Sequence, residues 1–420
     1  MQPTSTIKGL PWGLSFAIGA IITIMSINPA FVSFEKVGTP IFSPMPAETK
    51  VLKVGEIPVD VIKTSNITFI SNNIGKGNGG EPKQPDMQNG FFMAPKGEGG
   101  EWVKKADMPT ALLGHSACTV NDKIYIIGGG PGNNVVTPEI QEYDPTTSKW
   151  TRKADMPTAR SCLSTAVVDG KIYAIGGSRF WWDVGLPTVE EYDPIKDKWT
   201  KKADMSIGRY CCSTGVVNGK IYVIGGFGGF NGWDIFLSIE EYDPAKDKWT
   251  KKADMPMATG GNAVSELNGK IYIIGGRSPV AGDVTISTVR EYDPVTDTWT
   301  KKADMSTTKH MPTSSVSNGK IYVIGGTSDV QGKTLSLVEE YDPTTDKWTR
   351  KADMPTARFA LASCAVNNKI YAIGGVDEWP GIDVFGKPIP IVEEYTPESW
   401  PFSISPQSRL PNTWGKIKAK

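Results

Sequence analysis

The stretch from Trp150 to Gly177 reads W-T-R-K-A-D-M-P-T-A-R-S-C-L-S-T-A-V-V-D-G-K-I-Y-A-I-G-G and returns, lightly edited, along most of the chain. Tryptophan marks the repeat, because Trp102, Trp150, Trp199, Trp249, Trp299, Trp348 and Trp400 stand 48 to 52 residues apart. A self-similar period of this length means one supersecondary unit stacked on itself, which restricts the chain to a repeat architecture. The order inside a unit is fixed: Trp-Thr, Ala-Asp-Met, a run of small residues, a two-residue turn, Lys-Ile-Tyr, Gly-Gly, then a loop and a Glu-Tyr-Asp-Pro segment. Met and Tyr keep one spacing, as in Met156 to Tyr173 and Met354 to Tyr371, so length varies only in the loop after Gly-Gly.

Each part has a physical reason. Asp169-Gly170, Asn218-Gly219, Asn268-Gly269 and Asn318-Gly319 lie between apolar runs and predict tight hairpins whose central residues take positive φ. Gly-Gly pairs such as Gly176-Gly177 end the second strand where there is no room for a Cβ. Proline in Tyr-Asp-Pro cannot donate into a continuing ladder, so the third strand stops there and Trp-Thr begins the fourth. Four short antiparallel strands per unit describe a propeller blade, an all-β architecture.

With Gly-Gly joined to a spaced Tyr and Trp in six copies from about Trp102 to Trp400, the chain resembles the Kelch repeat family. That resemblance implies a six-bladed β-propeller of four-stranded blades. Seven Trp marks serve six blades. Tyr395 to Trp400 is shorter than Tyr192 to Trp199, and Thr396 replaces the usual Asp, whereas Trp102 to Met108 carries the full pattern. The segment at Trp102 is therefore expected to supply the outer strand of the last blade and to cover its edge.

The remaining chain divides into residues 1–33, 34–100 and 401–420 around a propeller at 101–400. Leu10 to Ile27 holds no charged residue and predicts a signal peptide or membrane anchor, and hence an extracytoplasmic location, secreted, periplasmic or anchored. Residues 34–100 predict an irregular segment and linker, and 401–420 a basic tail.

Composition excludes several functions. Lys plus Arg and Asp plus Glu are both 45, so no global basic field draws the chain to nucleic acid. Two histidines and five cysteines without a C-x-x-C pair predict no metal centre, and no cofactor is expected. Cys118, Cys162, Cys211, Cys212 and Cys364 are expected as small buried residues of inner strands. His115 and His310 lie in different units and make poor bases.

Strand direction puts the Ala-Asp-Met connection and the variable loop on one face, and the hairpin and Asp-Pro turns on the other. The loop face carries Trp181, Trp182, Trp233, Arg277 and Trp379, a mixture of rings and charge suited to a protein, peptide or glycan. Four residues after each Met stand Leu112, Arg160, Arg209, Thr259, Lys309 and Arg358. In Kelch proteins an arginine at this place often lines the central pocket, so the resemblance implies a partly basic rim of Arg160, Arg209, Lys309 and Arg358 for an anionic ligand. A non-catalytic binding module, monomeric and touching membrane only through its N-terminal segment, is the leading expectation. The alternative is an exported enzyme resembling sialic-acid mutarotase (an N-acetylneuraminate epimerase), which needs only modest acid–base help.

Overall fold

In the computed structural model the described residues are 99–132, 135–180, 184–229, 234–279, 284–329, 332–378 and 386–397. The expected leader, most of the linker and the C-terminal tail lie outside them. Six four-stranded antiparallel sheets are present among the described residues. Their innermost strands are Ser116–Val120, Ser164–Val168, Ser213–Val217, Ala263–Leu267, Thr313–Ser317 and Ala362–Val366. Each touches the next, and the last touches the first, so the sheets close into a six-bladed propeller. No helix among the described residues is long and apolar enough to cross a membrane.

The hairpin turns follow the sequence logic. Asp169, Gly170, Asn218 and Gly219 all have positive φ, as do Asn121-Asp122 and Asn367-Asn368 in the two units without glycine. Gly176 shows why Gly-Gly is needed: its φ is +64°, and a Cβ there would stand 2.5 Å from the carbonyl oxygen of Arg209 in the next blade. Its neighbour Gly177 donates to that same carbonyl at 2.9 Å. The glycine pair is thus a contact between blades as well as a strand end.

Closure occurs where it was expected. Glu101–Lys104 is the outer strand of the sixth blade, with Trp102 opposite Tyr395 and Lys104 opposite Glu393. The Trp102 ring lies 4.9 Å from that of Tyr395, matching Trp199 on Tyr192 at 5.1 Å and Trp249 on Tyr242 at 4.8 Å. Trp400 is outside the described residues.

The core consists of layers between blades. Tyr192, for example, packs with Tyr125, Ile127, Ile140, Met156 and Ile172 from two adjacent sheets. A polar clamp then ties most blades to their neighbours. The Tyr192 hydroxyl and the Ala154 N–H both donate to Asp197, while the Trp199 indole donates to the Ala154 carbonyl. Asp247 and Asp346 repeat the arrangement. At the closure the Gly99 carbonyl takes over from Asp and accepts from Tyr395. In blade one Ser148 stands where Asp197 does, and the Tyr143 hydroxyl is left without a partner.

These clamps set the acid sensitivity. Hydrogen bonds from Tyr, then from the Ala N–H, hold Asp197, Asp247 and Asp346 below the usual carboxylate range. A depressed folded-state pKa gives stability that is complete above about pH 4 and is lost as pH falls through the folded values. The midpoint of thermal unfolding is expected to be flat from pH 7 to 5 and to fall below pH 4. Asp247→Asn should shallow that fall, and an unchanged slope in this variant would count against the clamp.

Candidate functional site

The propeller axis is built from the inner strands, each paired on one side only, so a backbone edge of every blade faces inward. Just before each inner strand one residue has left-handed backbone: Gly114, Cys162, Cys211, Gly261, Met311 and Ala360, with φ between 45° and 63°. These six residues are linked head to tail. Cys162 donates to Gly114, Cys211 to Cys162, Gly261 to Cys211, Met311 to Gly261, Ala360 to Met311 and Gly114 to Ala360, at 2.7 to 3.4 Å. The result is a closed annulus of six backbone hydrogen bonds. Its four non-glycine members accept a conformational cost of about 1 kcal/mol each.

Beside the annulus, lined by the residues that follow it into the inner strands, lies a cavity of about 190 Å³. Its walls include Ser116, Thr165, Thr214, Asn262, Thr313 and Ser363. Hydroxyls bridge the blades here, as in Ser116 to Thr165 at 2.8 Å and Thr313 to Ser363 at 2.7 Å. The chamber is therefore an uncharged, hydrogen-bonding space. His115 reaches its wall with Nε2 donating to the Ile373 carbonyl at 3.1 Å. Burial, reinforced by the charge of Arg358, pulls the His115 pKa down to about 4 against that carbonyl, so the ring is neutral at physiological pH.

The basic rim is not part of this site. Arg160, Arg209, Lys309 and Arg358 are all 0% exposed, and none lines the chamber. Each turns back into its own blade and meets the first Glu of the third strand: Arg160 with Glu190 at 3.1 Å, Arg209 with Glu240 at 2.7 Å, Lys309 with Glu339 at 3.3 Å and Arg358 with Glu393 at 2.6 Å. Carbonyls just after the second strand and just before the third also accept, as Gly225 and Ser238 do for Arg209. The physical reason for the correction is desolvation: a cation in this layer is sealed from water and must pair with a carboxylate, so it turns into the blade and not toward the chamber. Burial lowers the Arg160 pKa to about 10 against the pull of Glu190, and the side chain stays charged.

A signal for this pairing is present inside the sequence. Where the cation is absent, the first Glu is absent too: Leu112 goes with Gln141 and Thr259 with Arg290, whereas all four cations go with Glu. The second Glu of the segment is structural as well, accepting from the strand-two tyrosine, as Glu191 does from Tyr173 and Glu340 from Tyr322.

The remaining expected residues belong to the loop face. Arg277 begins a two-residue ladder with Val284–Thr285 and is half-buried. Trp181, Trp182, Trp233 and Trp379 lie outside the described residues. Of the nine large hydrophobic residues that are exposed among the described residues, six sit on this face: Val135, Phe180, Val184, Ile207, Leu237 and Val284. They come from blades one to four. The cysteine expectation is met by Cys118 and Cys364 on inner strands, but Cys162, Cys211 and Cys212 precede their strands, and Cys211 is only half-buried. The left-handed residue makes each inner strand start later than the small-residue run suggests.

Closed six-bladed geometry, Gly-Gly contacts between blades and the Tyr–Trp stack in each blade define a Kelch-type propeller. Comparison with known families agrees. A Kelch-repeats domain family described as KLHDC2/KLHL20/DRC7 matches residues 79–255, and an Attractin/LZTR1 beta-propeller family matches residues 172–379. This chain is a Kelch-repeat protein. A solved structure titled "Structure of YjhT" is similar in fold, with a TM-score of 0.59 over 69% of this chain and 95% of that one at 20% identity. No curated protein sequence matches the chain.

Proposed function

We propose that the protein is a non-catalytic binding module that holds a peptide or protein segment on the loop face of blades one to four. The observation that supports this most is the gathering of exposed apolar side chains there, from Val135 through Phe180 and Leu237 to Val284. Apolar groups left in water on one face gain most when a partner covers them. Arg179 and Arg277 lie on the same face and favour a partner with acidic residues at its edge. The leader at Leu10 to Ile27 would deliver this face outside the cytoplasm. A mutarotase-like chemistry would need a cation and a carboxylate facing a cavity, and the Arg–Glu pairs described above lie buried inside their blades.

The test is a peptide and glycan array probed with wild type, Phe180→Asp and Leu237→Asp. Both sites are exposed, so the variants should fold as wild type does, and each is expected to lose at least about tenfold in affinity for captured peptides. Undiminished capture by both variants, or capture confined to glycans, would refute this reading.

A further inference from the structure

The axial annulus contains two adjacent thiols. Cys162 of blade two and Cys211 of blade three occupy neighbouring positions in it, and the Cys211 N–H donates to the Cys162 carbonyl at 2.7 Å. A backbone bond of this length holds the two residues side by side, as a disulfide requires with its Cα separation of roughly 4.4–6.8 Å. The side chains share one surrounding as well, since Cys162 lies in a small buried cluster against which Cys211 packs. Both cysteines pack in one cluster with Tyr210, Phe227 and Ile235, and the Tyr210 and Phe227 rings stack at 5.6 Å. Both are unoxidised here, with Cys162 buried and Cys211 half-buried.

We propose that Cys162 and Cys211 form a two-electron redox site, closing to a disulfide that bolts blade two to blade three at the axis by exchange with a disulfide-bearing oxidant. The chemistry balances without any other reagent. The Cys211 thiolate, the more accessible of the two, attacks one sulfur of the oxidant RSSR, forming a mixed disulfide and releasing the first RS⁻. Cys162 then attacks Cys211 Sγ, the mixed disulfide breaks, and the second RS⁻ leaves. Each RS⁻ takes up one of the two protons given up by the cysteines, so two protein thiols are oxidised and RSSR is reduced to two RSH. Burial makes the first step slow but leaves the second intramolecular. The other four positions of the annulus are Gly114, Gly261, Met311 and Ala360, so this link has one place to form.

The site is tested on the full chain, reduced and then incubated with oxidised glutathione, acid-quenched and alkylated in denaturant. Alkylation of the five cysteines is expected to fall to three, with the unalkylated chain about 2 Da lighter. A reducible peptide pair carrying Cys162 and Cys211 should appear, and the oxidised protein should unfold at higher temperature because a long loop has been closed. Because wild type alone gives these readouts, a folding defect in a variant does not affect the outcome. Cys211→Ser is expected to abolish the link while Cys212→Ser keeps it. Full alkylation after oxidant, or a bond through Cys118, Cys212 or Cys364 instead, would overturn the proposal.

Discussion

Replacing Arg358 with leucine is expected to cost the propeller about 3–5 kcal/mol, and adding Glu393→Gln should return most of that loss. The guanidinium of Arg358 donates to Glu393 at 2.6 Å and to the Ile391 carbonyl at 2.8 Å, with both side chains sealed from water. Removing the cation alone strands a buried carboxylate, which then keeps only the bond from Thr356 at 2.9 Å. Blade one shows that the neutral pair fits this site, because Leu112 and Gln141 are buried there at the same positions. The double variant should therefore lie within about 1 kcal/mol of wild type, and a double-mutant cycle by chemical denaturation measures the coupling. A single variant that costs less than about 1 kcal/mol, or a double that is no better than the single, would show that the ion pair is not what holds this layer together.

Trp102→Ala is expected to destabilise the protein by about 3 kcal/mol and, unlike the same change at Trp249, to open the ring. The two tryptophans make matching local contacts: each indole donates to an alanine carbonyl at 2.9 Å, Ala352 for Trp102 and Ala203 for Trp249, and each stacks on the tyrosine of the adjacent strand. They differ in chain connection. The strand at Trp249 follows its neighbour through a tight turn, so a loosened strand stays in place. Glu101–Lys104 reaches Val392–Thr396 from the far end of the propeller sequence, and the entropy of that long closure is regained as soon as the contact breaks. Hydrogen exchange distinguishes the two cases. Backbone amides of Val392–Thr396 should exchange at least about 100-fold faster in Trp102→Ala, while those of the strand Ile239–Asp243 change much less in Trp249→Ala. Equal acceleration in both variants would mean that closure carries no special share of the stability.

Much of the fold was legible because its causes are local. A two-residue turn such as Asn218-Gly219 fixes its hairpin through φ, and Pro in Tyr-Asp-Pro ends its strand by lacking a donor, whatever surrounds them. Even the closure could be read, since the full repeat pattern at Trp102 and the shortened one at Trp400 differ in spacing. The site was less legible. Arg160, Arg209, Lys309 and Arg358 were expected around a pocket by resemblance, and only the matched loss of cation and Glu in blades one and four marks them as internal pairs. The annulus left no sequence signal of its own, because Gly, Cys, Met and Ala share nothing but a backbone conformation.

The sequence alone determined the strand order of a blade, the number of blades and the strand that seals them, since each follows from spacing along the chain. Tertiary structure decided which way the long cations turn, that a hydroxyl-lined chamber sits on the axis, and that Cys162 stands beside Cys211 across a blade boundary. Those outcomes depend on residues about fifty positions apart being brought side by side. A long side chain takes whichever direction satisfies its charge, and its partners exist only once the ring has closed.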